Sequence, residues 1–123
     1  MMNEKIYQII YNELLRFLPS DWEKLVVYLE HGEASYSYSF YVKVKGKYQK
    51  CFDIAGISEE KLFETFEKIE SFVTKERKKE KNPWTNMTML VDRDGSFKAD
   101  FDYTDLSAGT YQYKKQWKEK YLS

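Results

Sequence analysis

Apolar residues recur at helical spacing near the start of the chain, where Ile6, Ile9, Ile10, Leu14, Phe17 and Leu18 share one face and predict an amphipathic helix over residues 4–18. Pro19 ends it, because the residue before a proline is pushed out of the α region. From Trp22 to Glu30 the run W-E-K-L-V-V-Y-L-E is apolar on both sides of an extended chain, which predicts a central strand, and His31-Gly32-Glu33 reads as the turn that follows. Strict alternation then begins. Tyr36, Tyr38, Phe40, Val42 and Val44 point one way and Ser35, Ser37, Ser39, Tyr41 and Lys43 the other, the pattern of a half-buried antiparallel strand over residues 34–44. Lys45-Gly46-Lys47 turns the chain into a third strand, Tyr48 to Ile54, with Phe52 and Ile54 on one face and Cys51 and Asp53 on the other.

The period changes again after Ser58, an N-cap followed by Glu59 and Glu60, and a helix is expected to about residue 81. Its stripe is Leu62, Phe66, Ile69 and Val73, widened by Phe63 and Phe72, and the charged tail 74–81 reads as a solvated end. Asn82-Pro83 breaks it. Two strands follow, Trp84 to Val91 and Ser96 to Tyr103, joined by the turn Asp92-Arg93-Asp94-Gly95, with Phe97, Ala99, Phe101 and Tyr103 facing in. Tyr113, Trp117 and Tyr121, four residues apart, predict a closing helix over about 108–121. The order α-β-β-β-α-β-β-α implies an α+β fold, a largely antiparallel five-stranded sheet packed with helices, and one domain over residues 1–123.

Composition narrows the function. Lys plus Arg and Asp plus Glu both count 20, so no net field attracts nucleic acid or anionic lipid, although charge blocks of both signs alternate along the chain. No apolar run approaches the ~18 residues of a membrane span, and the opening M-M-N-E-K-I-Y-Q lacks a basic segment followed by an apolar one. A cytoplasmic location is expected, which the single cysteine, Cys51, also suits.

Catalytic, metal and cofactor chemistry find no motif. His31 is the only histidine and has no partner in sequence to make a triad or a zinc site, so it reads as a surface turn residue. D-R-D-G resembles a calcium loop superficially, but Gly95 stands at the fourth position instead of the sixth, and the twelfth is Tyr103 instead of Glu. Two surface readings stay open. Asp100 and Asp102 face out from the last strand with Asp105 close behind, and they serve either solubility and edge protection or a docking surface for a basic partner. The hairpin Tyr41, Lys43, Lys45, Lys47, Tyr48, Lys50 interleaves cations with aromatics as single-stranded nucleic-acid binders do. A neutral domain with pI near 6.6 argues against that use.

The phrases L-P-S-D-W-E-K at 18–24, P-W-T-N-M-T at 83–88, D-G-S-F-K-A-D-F-D-Y-T-D-L at 94–106 and W-K-E-K-Y-L at 117–122 resemble, in one order, the YezG-like immunity proteins, also called EsaG-type antitoxins. The approach to the last helix, S-A-G-T-Y-Q-Y-K-K-Q-W, departs from that pattern. The resemblance implies a cytosolic antitoxin, not an enzyme and without a cofactor. Its partner would be the toxic domain, commonly a nuclease, of an antibacterial toxin that Gram-positive bacteria export through a type VII-like secretion system. Under that reading Asp100, Asp102 and Asp105 are the first residues expected to contact the toxin; the lysine hairpin at 41–50 as a nucleic-acid module is the alternative. Oligomeric state is left open.

Overall fold

The computed structural model describes residues 4–123. Its elements run α1 (Glu4–Leu15), β1 (Lys24–His31), β2 (Tyr36–Val44), β3 (Lys47–Lys50), α2 (Glu59–Arg77), β4 (Asn86–Asp92), β5 (Phe97–Asp102) and α3 (Tyr111–Tyr121), with a 3-10 turn at Cys51–Asp53. The five strands form one antiparallel sheet in the order β3-β2-β1-β4-β5. The strand expected to be central from its two apolar faces, β1, is central.

Each face of the sheet carries helix. On one side α1 and α2 bury Ile6, Ile10, Leu14, Leu62, Phe66, Ile69 and Val73 against Leu25, Val27, Leu29, Phe40, Val42, Met87 and Met89. That is the main core. On the other side α3 sets Trp117 against Val26, Tyr28 and Tyr41. The two apolar faces of β1 are thereby explained, since a strand covered on both sides must be apolar on both. Local chemistry agrees with these elements. Ser58 Oγ accepts the Lys61 amide at the start of α2, and Lys45 and Gly46 both take positive φ (52° and 77°), as a two-residue hairpin of type I′ requires.

Several boundaries and facings differ from the sequence expectation. α1 ends at Leu15, and Phe17 and Leu18 reach the core from the turn that follows. β3 stops at Lys50, and the 3-10 turn carries Cys51 into the core, fully buried, instead of leaving it on an opposite face from Ile54. Burial holds that thiol above its usual range. α2 ends at Arg77, and its Nε donates to the Trp84 carbonyl at 2.7 Å, so part of the charged tail is structural. Phe63, Phe97 and Tyr103 are about half exposed (52%, 50% and 52%): Phe63 stands on a flank of α2 beside Phe52, Phe97 sits on the outermost strand against the Tyr7 ring, and Tyr103 follows the end of β5.

His31 is the largest departure. It ends β1, is buried, and hydrogen-bonds Tyr38 Oη through Nε2 at 2.5 Å, with the Trp84 ring edge-on at 5.3 Å. Burial, and then the field of Arg77, lowers its pKa to about 4, so it is neutral at pH 7.

Candidate functional site

The polar chemistry of this protein gathers where α3 crosses β4 and β5. In β4 the alternation places Asn86 and Thr88 on the α3 side, both buried, and each must then be hydrogen-bonded. Asn86 Nδ2 donates to the Leu29 carbonyl at 3.1 Å and Thr88 Oγ1 donates to Asn86 Oδ1 at 3.1 Å. Trp117 Nε1 donates to Thr88 Oγ1 at 2.8 Å. Tyr113 Oη lies 3.1 Å from both Asn86 Oδ1 and Asp102 Oδ2, and Tyr121 Oη donates to Asp100 Oδ2 at 2.8 Å. Three aromatic residues, four apart on α3, thus deliver their polar tips to one row of side chains on the sheet.

Asp100 and Asp102 do face away from the main core, yet α3 half covers them. Asp100 keeps 32% of its side chain exposed, with Lys98 Nζ at 3.7 Å. Although burial opposes ionisation at Asp102, hydrogen bonds from Thr104 and Tyr113 outweigh it and hold the carboxyl below the usual range. Thr104 supplies both its amide (2.8 Å) and its hydroxyl (2.6 Å) to Asp102 Oδ1. Asp105 is exposed and is brought to the same end of the sheet; the Ser107 amide at 2.9 Å lowers its pKa. Asp102 and Asp105 are therefore anionic near neutral pH. Between α3 and β5 an open cavity of about 430 Å³ is lined by Lys98, Asp100, Asp102, Tyr113, Gln116 and Lys120, among others.

The turn read as a failed calcium loop has its own account. Asp94 Oδ1 accepts the Ser96 amide (2.9 Å) and hydroxyl (2.7 Å), while Arg93 donates to the carbonyls of Ser20 and Trp22 and lies over the Trp22 ring. Those bonds tie the β4–β5 turn to the start of β1. Among the described residues no group of three or more His, Cys, Asp or Glu could hold a metal ion.

The lysine hairpin does not offer free stacking surfaces. Tyr41 is buried with its ring 5.6 Å from Trp117, and Tyr48 is half-buried with Lys43 Nζ 5.6 Å over it. Base stacking needs exposed ring faces, so these positions serve the α3 contact instead.

Sequence reasoning missed Asn86 and Thr88, and it left Tyr113 and Tyr121 as mere helix-stripe residues. A signal was present: two polar residues sit at alternate positions in the otherwise apolar run N-M-T-M-L-V. A buried polar pair needs partners, and aromatic residues with a polar tip supply them.

An antiparallel sheet with helix on both faces, several of whose acids and hydroxyls hold the last helix, defines a small α+β protein. The chain belongs to the YezG-like immunity protein family, whose model, described as "Immunity protein YezG-like", matches residues 3–123. It is 30% identical to Immunity protein YezG of Bacillus spizizenii over 95% of this chain and 80% of that protein. Immunity protein YezG of Bacillus subtilis is 27% identical over 97% and 87%. The Type VII secretion system protein EsaG of Staphylococcus aureus is 26% identical over 82% of this chain and 68% of its own length. No helix among the described residues is long and apolar enough to cross a membrane.

Proposed function

We propose that this protein is an antitoxin that binds the toxic domain of a secreted antibacterial toxin, a nuclease of a type VII-like system, and neutralises it in the cytoplasm by stoichiometric association, without catalysis. Family membership over residues 3–123 is the observation that carries the reading. The relatives' names support its two halves: two are immunity proteins and the third a type VII secretion system protein.

The β5 end of the sheet suits the electrostatics of such a partner. A nuclease must present a positive surface to hold DNA, and Asp100, Asp102 and Asp105 form a negative rim whose carboxylates are oriented by neighbouring hydrogen bonds. Orientation before binding lowers the ordering cost of association. Asp105 meets the toxin first in this reading, because it is exposed, whereas Asp100 and Asp102 contribute their field and their free lone pairs.

Co-expression with the nuclease domain of a candidate type VII-secreted toxin tests the proposal. Co-purification in a fixed ratio, with DNA cleavage abolished at that ratio, is expected; cleavage that persists at excess of this protein would overturn it.

A further inference from the structure

The two edges of the sheet are protected differently. β5 carries Lys98, Asp100 and Asp102, charges of the sort that keep an exposed strand from pairing with another chain. At the opposite margin β3 covers only Tyr41–Val44 of β2. Residues 36–39 of β2, Tyr-Ser-Tyr-Ser, have β1 on one side and no strand on the other, and they carry no charge, proline or bulge.

The strand register fixes which backbone groups are left over. His31 N–H donates to Thr85 of the β4 side, and the Lys43 carbonyl accepts from Glu23 on the β1 side. In an antiparallel ladder successive residues alternate sides. Ser37, Ser39, Tyr41 and Lys43 therefore turn their backbone groups to β1, and Tyr36 and Tyr38 turn theirs outward. Phe40 closes the open stretch, with its backbone beside the Cys51 thiol.

Beside this edge lies a groove of about 440 Å³ lined by Tyr36, Ser39, Lys50, Phe52, Phe63 and Glu67, among others. Phe63 is half exposed and stands 5.6 Å from Phe52. The helical period puts Glu60, Glu67 and Glu70, and Arg77 at the helix end, on the same flank of α2 as Phe63, whereas Lys68 lies on the far flank, bonded to Glu13 of α1 at 2.9 Å. Burial first, and then the fields of Glu70 and Glu67, raise the Tyr36 phenol, which places both carboxylates near the edge.

We infer that residues 36–39 of β2 are a docking edge for an extended segment of a partner protein, which adds as a strand and carries apolar and lysine or arginine side chains on its α2-facing side. Unpaired backbone groups select an extended chain, the phenylalanines select apolar side chains, and Glu67 and Glu70 beside Tyr36 select a cation at that end of the edge. A second copy fits worse. Antiparallel edge pairing relates two copies by a two-fold axis normal to the sheet, which lays the α2 glutamates of one beside those of the other. The inference is separate from the β5 rim and borrows from the proposed function only the expectation that the toxin supplies the strand.

Amide exchange of the intact protein, read by NMR, is the test, with the peptide acetyl-Thr-Val-Thr-Lys-Thr-Val-Thr-amide as probe. At millimolar peptide, exchange at Tyr36 and Tyr38 is expected to slow about tenfold while Ser37 and Ser39, already bonded to β1, change little. The peptide with Glu for Lys, and Tyr36→Pro, which removes an outward N–H without losing a ladder bond, are each expected to abolish the effect. Phe63→Ser, at an exposed ring, should weaken it about fivefold or more. Unchanged exchange, equal response to the Glu peptide, or a dimer by sedimentation that Tyr36→Pro dissolves would each overturn the assignment. A toxin domain that binds wild type, Tyr36→Pro and Phe63→Ser alike overturns it as well while leaving the antitoxin reading in place. One that binds none of them removes the antitoxin reading, and the peptide measurement then decides the edge alone.

Discussion

Trp117 donates its indole N–H to the Thr88 hydroxyl at 2.8 Å, and through that bond the last helix is joined to the middle of the sheet. The Thr88 hydroxyl in turn donates to Asn86 Oδ1, which also meets Tyr113, so the contact belongs to a chain of hydrogen-bonded groups. Trp117→Phe keeps most of the packing and removes one donor; it should cost about 1–2 kcal/mol. Trp117→Ala also opens a cavity against Tyr28 and Tyr41 and should cost about 3–5 kcal/mol. Urea unfolding of the two variants checks both the order and the gap.

His31 predicts a pH dependence of stability. Its folded pKa, about 4, lies below the ordinary histidine value of 6.5, so the unfolded chain binds the proton more readily. The contribution is complete above pH 6.5 and is lost as pH falls toward 4. The chain has a single histidine, and Asp94, Asp102 and Asp105, all shifted down, add a decline of the same sign only at the acid end of this window. Urea midpoints measured between pH 7 and pH 4 should decline, and His31→Gln should flatten the decline while lowering stability at pH 7.

The β2–β3 hairpin can be improved. Lys45 occupies a positive-φ position that asparagine tolerates better, next to Gly46. Lys45→Asn should raise stability by about 0.5 kcal/mol, and Gly46→Ala should lower it by about 1 kcal/mol. Thermal melts of the pair would show shifts of opposite sign.

Charge reversal tests the β5 rim. Asp105→Lys leaves the α3 contacts untouched, so its fold should be intact, and association with the toxin domain should slow severalfold at low salt. The difference should shrink as salt screens it. Asp100→Lys adds the loss of the Tyr121 bond and should therefore affect both association and the docking of α3. Rates equal to wild type for Asp105→Lys at low salt would remove that residue from the interface.

Much of this architecture was legible in the residue pattern. Alternation in residues 36–44, the double-faced apolar run of β1 and the Leu62, Phe66, Ile69, Val73 stripe each encode which side chains share a side, and those sides are the ones found. The resemblance carried by P-W-T-N-M-T and D-G-S-F-K-A-D-F-D-Y-T-D-L led to the family whose model matches residues 3–123. Boundaries were less legible, because where α2 and β3 stop depends on Arg77 reaching the Trp84 carbonyl and on Cys51 turning into the core.

Periodicity along the chain is a local property, and by itself it determined the order of the elements, the central place of β1 and the face each residue shares with its neighbours. What covers a face is decided at long range. Only the tertiary structure placed α3 over Tyr41, Asp100 and Asp102, so that residues expected to face solvent became its seat. The same packing buried His31 against Tyr38 and Trp84, and it ended β3 early enough to leave the backbone of Tyr36 and Tyr38 open. A strand's alternation states that one side differs from the other; whether a helix, a sheet edge or water meets that side follows from contacts between residues far apart in the chain.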